Sequence, residues 1–131
     1  MIQGAADIAD EVGAVKINTP VNGSSTDDKN YIESPYSLNS ITDFAGNIIS
    51  VRRAYCGYDK GDACLSDFIR QQNADLDQKM RSQIDKTINT IKEIPEPFAL
   101  NIDHPSAQKA IDECGVLVEL LSEVAQEVSK Q

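Results

Sequence analysis

A chain of 131 residues has the length of one domain, and its 40% hydrophobic residues are enough for a core built without Trp. The formal net charge of −9 and the sequence pI of about 4.4 argue against nucleic acid and anionic membranes as partners, because both require a basic surface. No apolar run approaches the roughly 18 residues of a membrane span, so we expect no span in this chain.

The first predicted helix runs from Ile2 to about Ile17. Ile8, Val12 and Val15 repeat at helical spacing, with Ala5 one step before, and are expected to face the core. No capping residue precedes this periodic pattern, so the helix has no recognisable start. We therefore expect that the sequence is truncated at its amino-terminal end.

A long irregular loop is predicted over about residues 20–36. Pro20 and Pro35 bound a stretch that holds Asn22, Gly23 and further short polar residues, all of which favour turns. A loop of this length inside a compact domain is often functional. We treat the remainder of residues 1–131 as a single helical bundle around it.

The second predicted helix carries two parallel stripes. The apolar stripe steps by three and four residues, as the packed face of a helix does, and consists of Ile41, Phe44, Ile48, Val51 and Tyr55. A second stripe lies one residue earlier at each step, about 100° around the helix, and consists of Ser40, Asp43, Asn47, Ser50 and Ala54.

The second stripe holds only short side chains, whereas an exposed helix face usually holds Lys, Glu and Gln. One interpretation is a helix cap at Ser40 and Asp43, followed by small groups that allow a neighbouring helix to approach. The other is a polar wall, lined by Ser40, Asp43, Asn47 and Ser50, of a site that is completed by residues outside this chain. The residues alone leave both interpretations open.

Two further helical regions follow. A third helix is predicted from Asp62 to about Gln72, with a kink or break at residues 73–75 before the apolar pattern resumes at Leu76 and ends before Pro95. The last helix begins near His104, with Pro105 in its first turn. Its apolar stripe is the longest in the chain: Ala110, Cys114, Leu117, Leu121, Val124 and Val128. We predict an all-α fold, an antiparallel four-helix bundle.

The three cysteines allow one short disulfide. Cys56 is expected to end the second helix and Cys64 to begin the third, so a bridge between them would stabilise the fold by about 2–3 kcal/mol in the chain-entropy model. The alternative is that these two and Cys114 are small buried thiols. A bridge requires an oxidising compartment.

No catalytic or metal-binding set is recognised in the sequence. His104 is the only histidine, and no acid stands near it at the spacing of a zinc peptidase helix. A cap or a surface position explains it. Glu119, Glu123 and Glu127 repeat every four residues, which is typical of a solvated helix face. We therefore assign no catalytic residue and no metal ligand to this chain.

Several segments resemble the imelysin-like family. The first is Ile8–Gly13 with Lys16 and Ile17, and the most specific is Tyr31–Phe44, which is similar to the family's ES-x-[FY]-S-x-NS-[IL]-TDF run. Asn47, Ile48, Ser50 and the pair Tyr55 and Gly57 continue it in register. Leu65–Phe68 and Ile94–Phe98 fit the later part. The resemblance covers nearly the whole chain, and Cys56 and Cys64 lie outside the shared pattern.

The resemblance implies a bacterial cell-envelope protein, in the periplasm or at the cell surface, often held by a lipoprotein anchor that would lie outside this chain. Imelysin-like proteins are built from two helical-bundle halves, are described as insulin-cleaving peptidases and are linked to iron uptake. Their Gly-x-His-x-x-Glu motif belongs to the first half. This chain resembles the second half and lacks that motif, because Pro105, Ser106 and Ala107 follow His104.

We therefore expect a non-catalytic half that completes a binding cleft with a missing amino-terminal half. In the family, the helix that carries Ser40, Asp43, Asn47 and Ser50 forms one wall of the cleft between the halves. Iron or another divalent cation is the candidate cofactor of the full-length protein. The alternative is part of a peptidase whose catalytic or metal motif lies outside this chain. The expected partner is the missing half or a second copy of the chain.

Overall fold

The protein is described by a computed structural model, which places residues 2–23, 40–57 and 64–130. Throughout these ranges the regular structure is helical, which confirms the all-α prediction; the antiparallel four-helix arrangement stays a prediction. The elements are α1 (Ile2–Asp10), a π-helix (Glu11–Ile17), α2 (Asn18–Asn22), α3 (Ser40–Cys56), α4 (Leu65–Gln72), α5 (Ala74–Lys92), a 3₁₀-helix (Phe98–Leu100) and α6 (Pro105–Ser129).

The helices pack around one apolar core. α1 packs against α3 and α6, α5 packs against the same two helices, and the short α4 lies against α3 and α5. All five residues of the predicted apolar stripe on α3 are buried. On α6 the predicted stripe is buried from Ala110 to Val124, while Val128 is half-buried. Because each long helix has one apolar face, burial of these faces against each other holds the fold together.

The helix ends follow the sequence signals. Gly57 follows α3 with a φ of 82°, a left-handed conformation that favours glycine, and its N–H donates to the carbonyl of Arg53 at 2.9 Å. Asn73 separates α4 from α5 and accepts a hydrogen bond from the N–H of Leu76 at 3.1 Å, which confirms the predicted break. The predicted start at Asp62 lies outside the described residues, and α4 begins after Cys64.

The first helix differs from the prediction, because a π-helix interrupts it. The buried residues of α1 are Ala5 and Ala9, while Ile8, predicted to face the core, is 37% exposed. Val12 is buried as expected, whereas Val15 is only half-buried. The physical reason is that helical spacing alone allowed two faces, and the face that carries the small residues Ala5 and Ala9 is the one buried where α1 packs against α3 and α6.

Close packing on α6 also explains the glycine in the π-helix. A Cβ added at Gly13 would collide with the Cβ of Cys114 and would lie 3.3 Å from its Sγ. Gly13 is buried, so no side chain can be turned away into solvent there. The chain therefore needs glycine at this position to bring the two helices together.

The helix also continues further than predicted, through Asn22. Pro20 is the third residue of α2 and is buried. The expectation that an irregular loop begins at residue 20 is therefore wrong for residues 20–22, and residues 24–36 of the predicted loop lie outside the described residues.

Candidate functional site

The short polar stripe on α3 lies along the boundary between core and solvent. Ser40 is buried with 6% exposure, Asn47 is half-buried, and Asp43 and Ser50 are exposed. The hydroxyl of Ser50 donates to the carbonyl of Gly46 in the same helix at 3.2 Å. The stripe therefore presents short polar groups at an edge of α3, and its role as a wall of a cleft stays a prediction.

An open groove of about 610 Å³ lies beside α3, on the flank of its apolar face that is opposite to the polar stripe. Ile41, Ala45 and Ile49 of α3 form one wall, and Ile94 and Pro95 from the connection after α5 form the other. The edge-to-face contact between the rings of Phe44 and Phe98, 5.3 Å between centroids, fixes this connection against α3. The lining is mostly apolar, and its ionisable residues are Lys92 and Glu96.

A buried polar cluster joins three helices at the carboxyl-terminal end of α3. The carboxylate of Asp77, on α5, is 4% exposed. Its Oδ1 accepts a hydrogen bond from the hydroxyl of Tyr55, on α3, at 2.7 Å and another from the hydroxyl of Ser66, on α4, at 2.5 Å. Arg81 donates from Nε to Asp77 Oδ2 at 3.3 Å and from Nη2 to the Ser66 oxygen at 2.6 Å. We call these four residues the Asp77 cluster.

The Asp77 cluster is closed on itself. Ser66 is fully buried and Tyr55 is 1% exposed, so both hydroxyls depend on Asp77 as their acceptor. Burial, together with the hydrogen bond to Asp77 and its negative charge, raises the pKa of Tyr55 well above the ordinary value of 10.0. The phenol therefore stays neutral under physiological conditions and donates to the carboxylate. This arrangement suits a structural junction better than a proton donor for chemistry.

The sequence-based reading missed this cluster. Its members come from three separate segments, and no local motif links them. Their register positions carried a signal: Asp77 precedes Met80 and Ile84 by three and seven residues, and Ser66 precedes Ile69 by three. These spacings place both polar residues on inward-facing stripes.

A second buried polar contact joins α5 to α6. The amide of Gln83 donates to the carbonyl of Glu113 at 2.9 Å and to its carboxylate at 2.8 Å. Thr87, fully buried, donates to the carbonyl of Gln83 at 2.7 Å. All donors and acceptors here belong to the two helices, so this contact sets their register and offers no free group to a ligand.

The cysteines are free thiols in this structure. Cys56 is the last residue of α3 and Cys64 is the N-cap residue of α4, as predicted from the sequence. Both are half-buried. Their disulfide stays a prediction. Cys114 is buried in the α6 seam, and burial, with the charge of Glu113, raises its pKa to about 12.

His104 caps α6. Its Nδ1 accepts a hydrogen bond from the N–H of Ser106 at 3.1 Å, and Pro105 occupies the first helical position, so the predicted cap is confirmed. Within residues 2–23, 40–57 and 64–130, no group of three His, Cys, Asp or Glu side chains is arranged to hold a metal ion. In the same ranges, no helix is both long enough and apolar enough to cross a membrane.

Comparison with known proteins gives one consistent family. The model of the imelysin family matches residues 1–124. An imelysin peptidase from Bacteroides ovatus is similar in structure with a TM-score of 0.84 and 36% identity, over 92% of this chain and 36% of that one. A chain from Parabacteroides distasonis ATCC 8503, named as an iron-regulated protein A precursor, is also similar in structure, with a TM-score of 0.83 and 36% identity. The match covers 93% of this chain and 38% of that one.

A search of curated proteins finds no match. The chain spans little more than a third of the length of the two solved relatives. The similarity therefore concerns one part of a longer chain in each relative.

Proposed function

Because this chain belongs to the imelysin family, we propose that it is a non-catalytic helical half that completes a binding cleft together with a second half of the imelysin fold. The observation that carries this proposal is the edge of α3, where short polar groups line the boundary of the core. Asp43, Asn47 and Ser50 are accessible there, so an approaching polypeptide or ligand finds polar groups without long side chains in its way.

The length of the relatives supports a second half as the partner. This chain covers 36% and 38% of the two solved chains, so each relative has further chain outside the matched region. A second copy of the chain is the other candidate for the same surface. The formal net charge of −9 favours neither nucleic acid nor an anionic membrane in this role.

Iron is the cofactor or cargo that we propose for the completed cleft. The name of the Parabacteroides distasonis relative refers to iron regulation. Asp43 supplies the carboxylate on the α3 edge that a hard cation prefers, and the described part of the chain offers no complete ligand set of its own. The remaining ligands would come from the second half. We propose the periplasm or the cell surface as the location.

A calorimetric titration with ferric ion tests this function. The natural gene product that carries residues 1–131 should bind the ion, and the double variant Asp43→Ala, Asn47→Ala should bind it at least about tenfold more weakly, because a ligand and a neighbouring polar group are lost. Glu119→Ala, an exposed carboxylate on α6, is the matched control and should bind as the parent does. Unchanged affinity in the double variant would refute the cleft.

The alternative is part of a peptidase whose catalytic or metal motif lies outside this chain. The name of the Bacteroides ovatus relative, an imelysin peptidase, favours this class. A protease assay separates the two functions. We expect residues 1–131 alone to show no turnover, whereas robust turnover that a chelator abolishes would overturn the non-catalytic assignment and place a complete site in this chain.

A further inference from the structure

Two thiols flank the Asp77 cluster. Cys56 directly follows Tyr55, and Cys64 precedes Ser66 by two residues. Since the hydroxyls of Tyr55 and Ser66 both donate to the same oxygen of Asp77, at 2.7 and 2.5 Å, the end of α3 and the start of α4 are held beside each other. The cluster thereby holds the two thiols in the same corner of the molecule.

The electrostatic surroundings link the two thiols to one cation. Burial raises the pKa of Cys56 above its ordinary value, Arg81 lowers it again in part, and Cys64 and Asp77 raise it further. Partial burial lowers the pKa of Arg81, but the negative charges of Cys56 and Asp77 outweigh that effect and raise it. The pKa of Cys56 stays raised overall, and Arg81, with Arg52 as a weaker second cation from α3 itself, offsets part of the cost of forming a thiolate there.

We propose that Cys56 and Cys64 are a redox-active dithiol that closes to an intramolecular disulfide by exchange with a small-molecule disulfide such as oxidised glutathione. This inference does not depend on the proposed cleft. Both thiols are half-buried and within reach of a small oxidant, whereas Cys114 is 1% exposed and stays outside the reaction. The bridge would connect α3 to α4 directly, beside the hydrogen bonds that already join them through Asp77.

The exchange balances in two steps. Cys56 loses its proton, and its thiolate attacks one sulfur of oxidised glutathione, which forms a mixed disulfide and releases one glutathione thiolate. Cys64 then loses its proton and attacks the Cys56 sulfur, which closes the protein disulfide and releases the second glutathione thiolate. The two released thiolates take up the two protons. The protein is oxidised by two electrons and glutathione disulfide is reduced by two.

Mass spectrometry of the full chain after incubation with oxidised glutathione tests the proposal. We expect a mass loss of about 2 Da, one alkylatable thiol left after unfolding, and a peptide cross-link between Cys56 and Cys64. Cys114→Ala should form the same bridge and leave no thiol. Cys56→Ser and Cys64→Ser should each stop at a single glutathione adduct.

A rate comparison connects the bridge to the cluster. Arg81→Gln should slow the first exchange step several-fold, because it removes the cation that faces the Cys56 thiolate. Arg70→Gln is the matched control, since Arg70 is exposed on α4, pairs with Asp67 at 2.7 Å, and is not one of the cations that lower the pKa of Cys56. No reaction, stable adducts on both cysteines, a bridge that includes Cys114, or a dimer cross-linked between chains would each overturn the proposal.

Discussion

Two helix contacts in this protein are held together by different forces. Apolar side chains dominate the contact between α5 and α6, whereas polar groups hold α3, α4 and α5 together at the Asp77 cluster. Between α5 and α6, long apolar stripes face each other, and the polar contact of Gln83 with Glu113 adds register to a seam that is already apolar. At the junction of α3, α4 and α5, the buried carboxylate of Asp77 holds the three helices together. We expect the first interface to tolerate loss of its polar contact and the second to depend on Asp77, because the buried hydroxyls of Tyr55 and Ser66 donate to its carboxylate.

Asp77→Ala is the substitution with the largest expected effect. It leaves the buried hydroxyls of Tyr55 and Ser66 without their acceptor and removes the partner of Arg81, so we expect a loss of about 3–5 kcal/mol in the free energy of unfolding. Urea unfolding measures it. Asp85→Ala, on the same helix but exposed, should change stability by less than about 0.5 kcal/mol. A loss below about 1 kcal/mol for Asp77→Ala would remove the distinction between the two interfaces.

Leu117→Ala tests the apolar seam. Leu117 is fully buried, and truncation leaves a cavity, so we expect a loss of about 3 kcal/mol with an unchanged denaturant m-value. Val116→Ala, at a neighbouring position of α6 that is 41% exposed, serves as the control and should cost under about 1 kcal/mol. Equal losses at the two positions would mean that α6 does not pack through the face described.

Gly13→Ala tests the close approach of the π-helix to α6. The added Cβ would collide with Cys114, so we expect a loss of about 1–3 kcal/mol by thermal or urea unfolding, despite the better helix propensity of alanine. Gly4→Ala and Gly115→Ala meet nothing within 4 Å and should be neutral or stabilising. A stabilised Gly13→Ala protein would show that the two helices are further apart than described.

Tyr55→Phe is expected to give the smallest loss, about 1 kcal/mol at pH 7, because Asp77 loses one of its donors. Its pH dependence sharpens the comparison. The pKa of Tyr55 is raised in the folded protein, so the unfolded chain releases the phenol proton first, and stability falls as pH rises above about 10. The difference between parent and variant should therefore shrink between pH 9 and 11. A constant difference would mean that the phenol is not in the buried environment described.

The sequence predicted well which helix faces are apolar and buried. On α3, α5 and α6 the apolar residues recur at one unbroken helical spacing, and burial follows that spacing from Ile41 to Tyr55 and from Ala110 to Val124. The break at Asn73 and the cap at His104 were also predicted, because each depends on local chemistry. Local patterns therefore determine where these helices lie and which faces they bury.

The rest depended on contacts between distant segments. Ile8 was assigned to the core on the spacing of Ala5, Ile8 and Val12, yet Ala5, Ala9 and Val12 are buried and Ile8 is exposed. Asp77 was not singled out among the 21 acidic residues, and only its partners on two other helices make it a buried acceptor. The stripe at Asp43 and Asn47 was predicted from helical spacing, and its role as a wall of a cleft stays a prediction.

The π-helix at Glu11–Ile17 lengthens the first helical segment without turning its buried face away from the core. Ala5 and Ala9 are buried before it, Val12, Gly13 and Ile17 within it, and Pro20 after it. Val12 and Ile17 are five residues apart, one more than the usual step along one face of an α-helix, and the wider turns of a π-helix accommodate that extra residue.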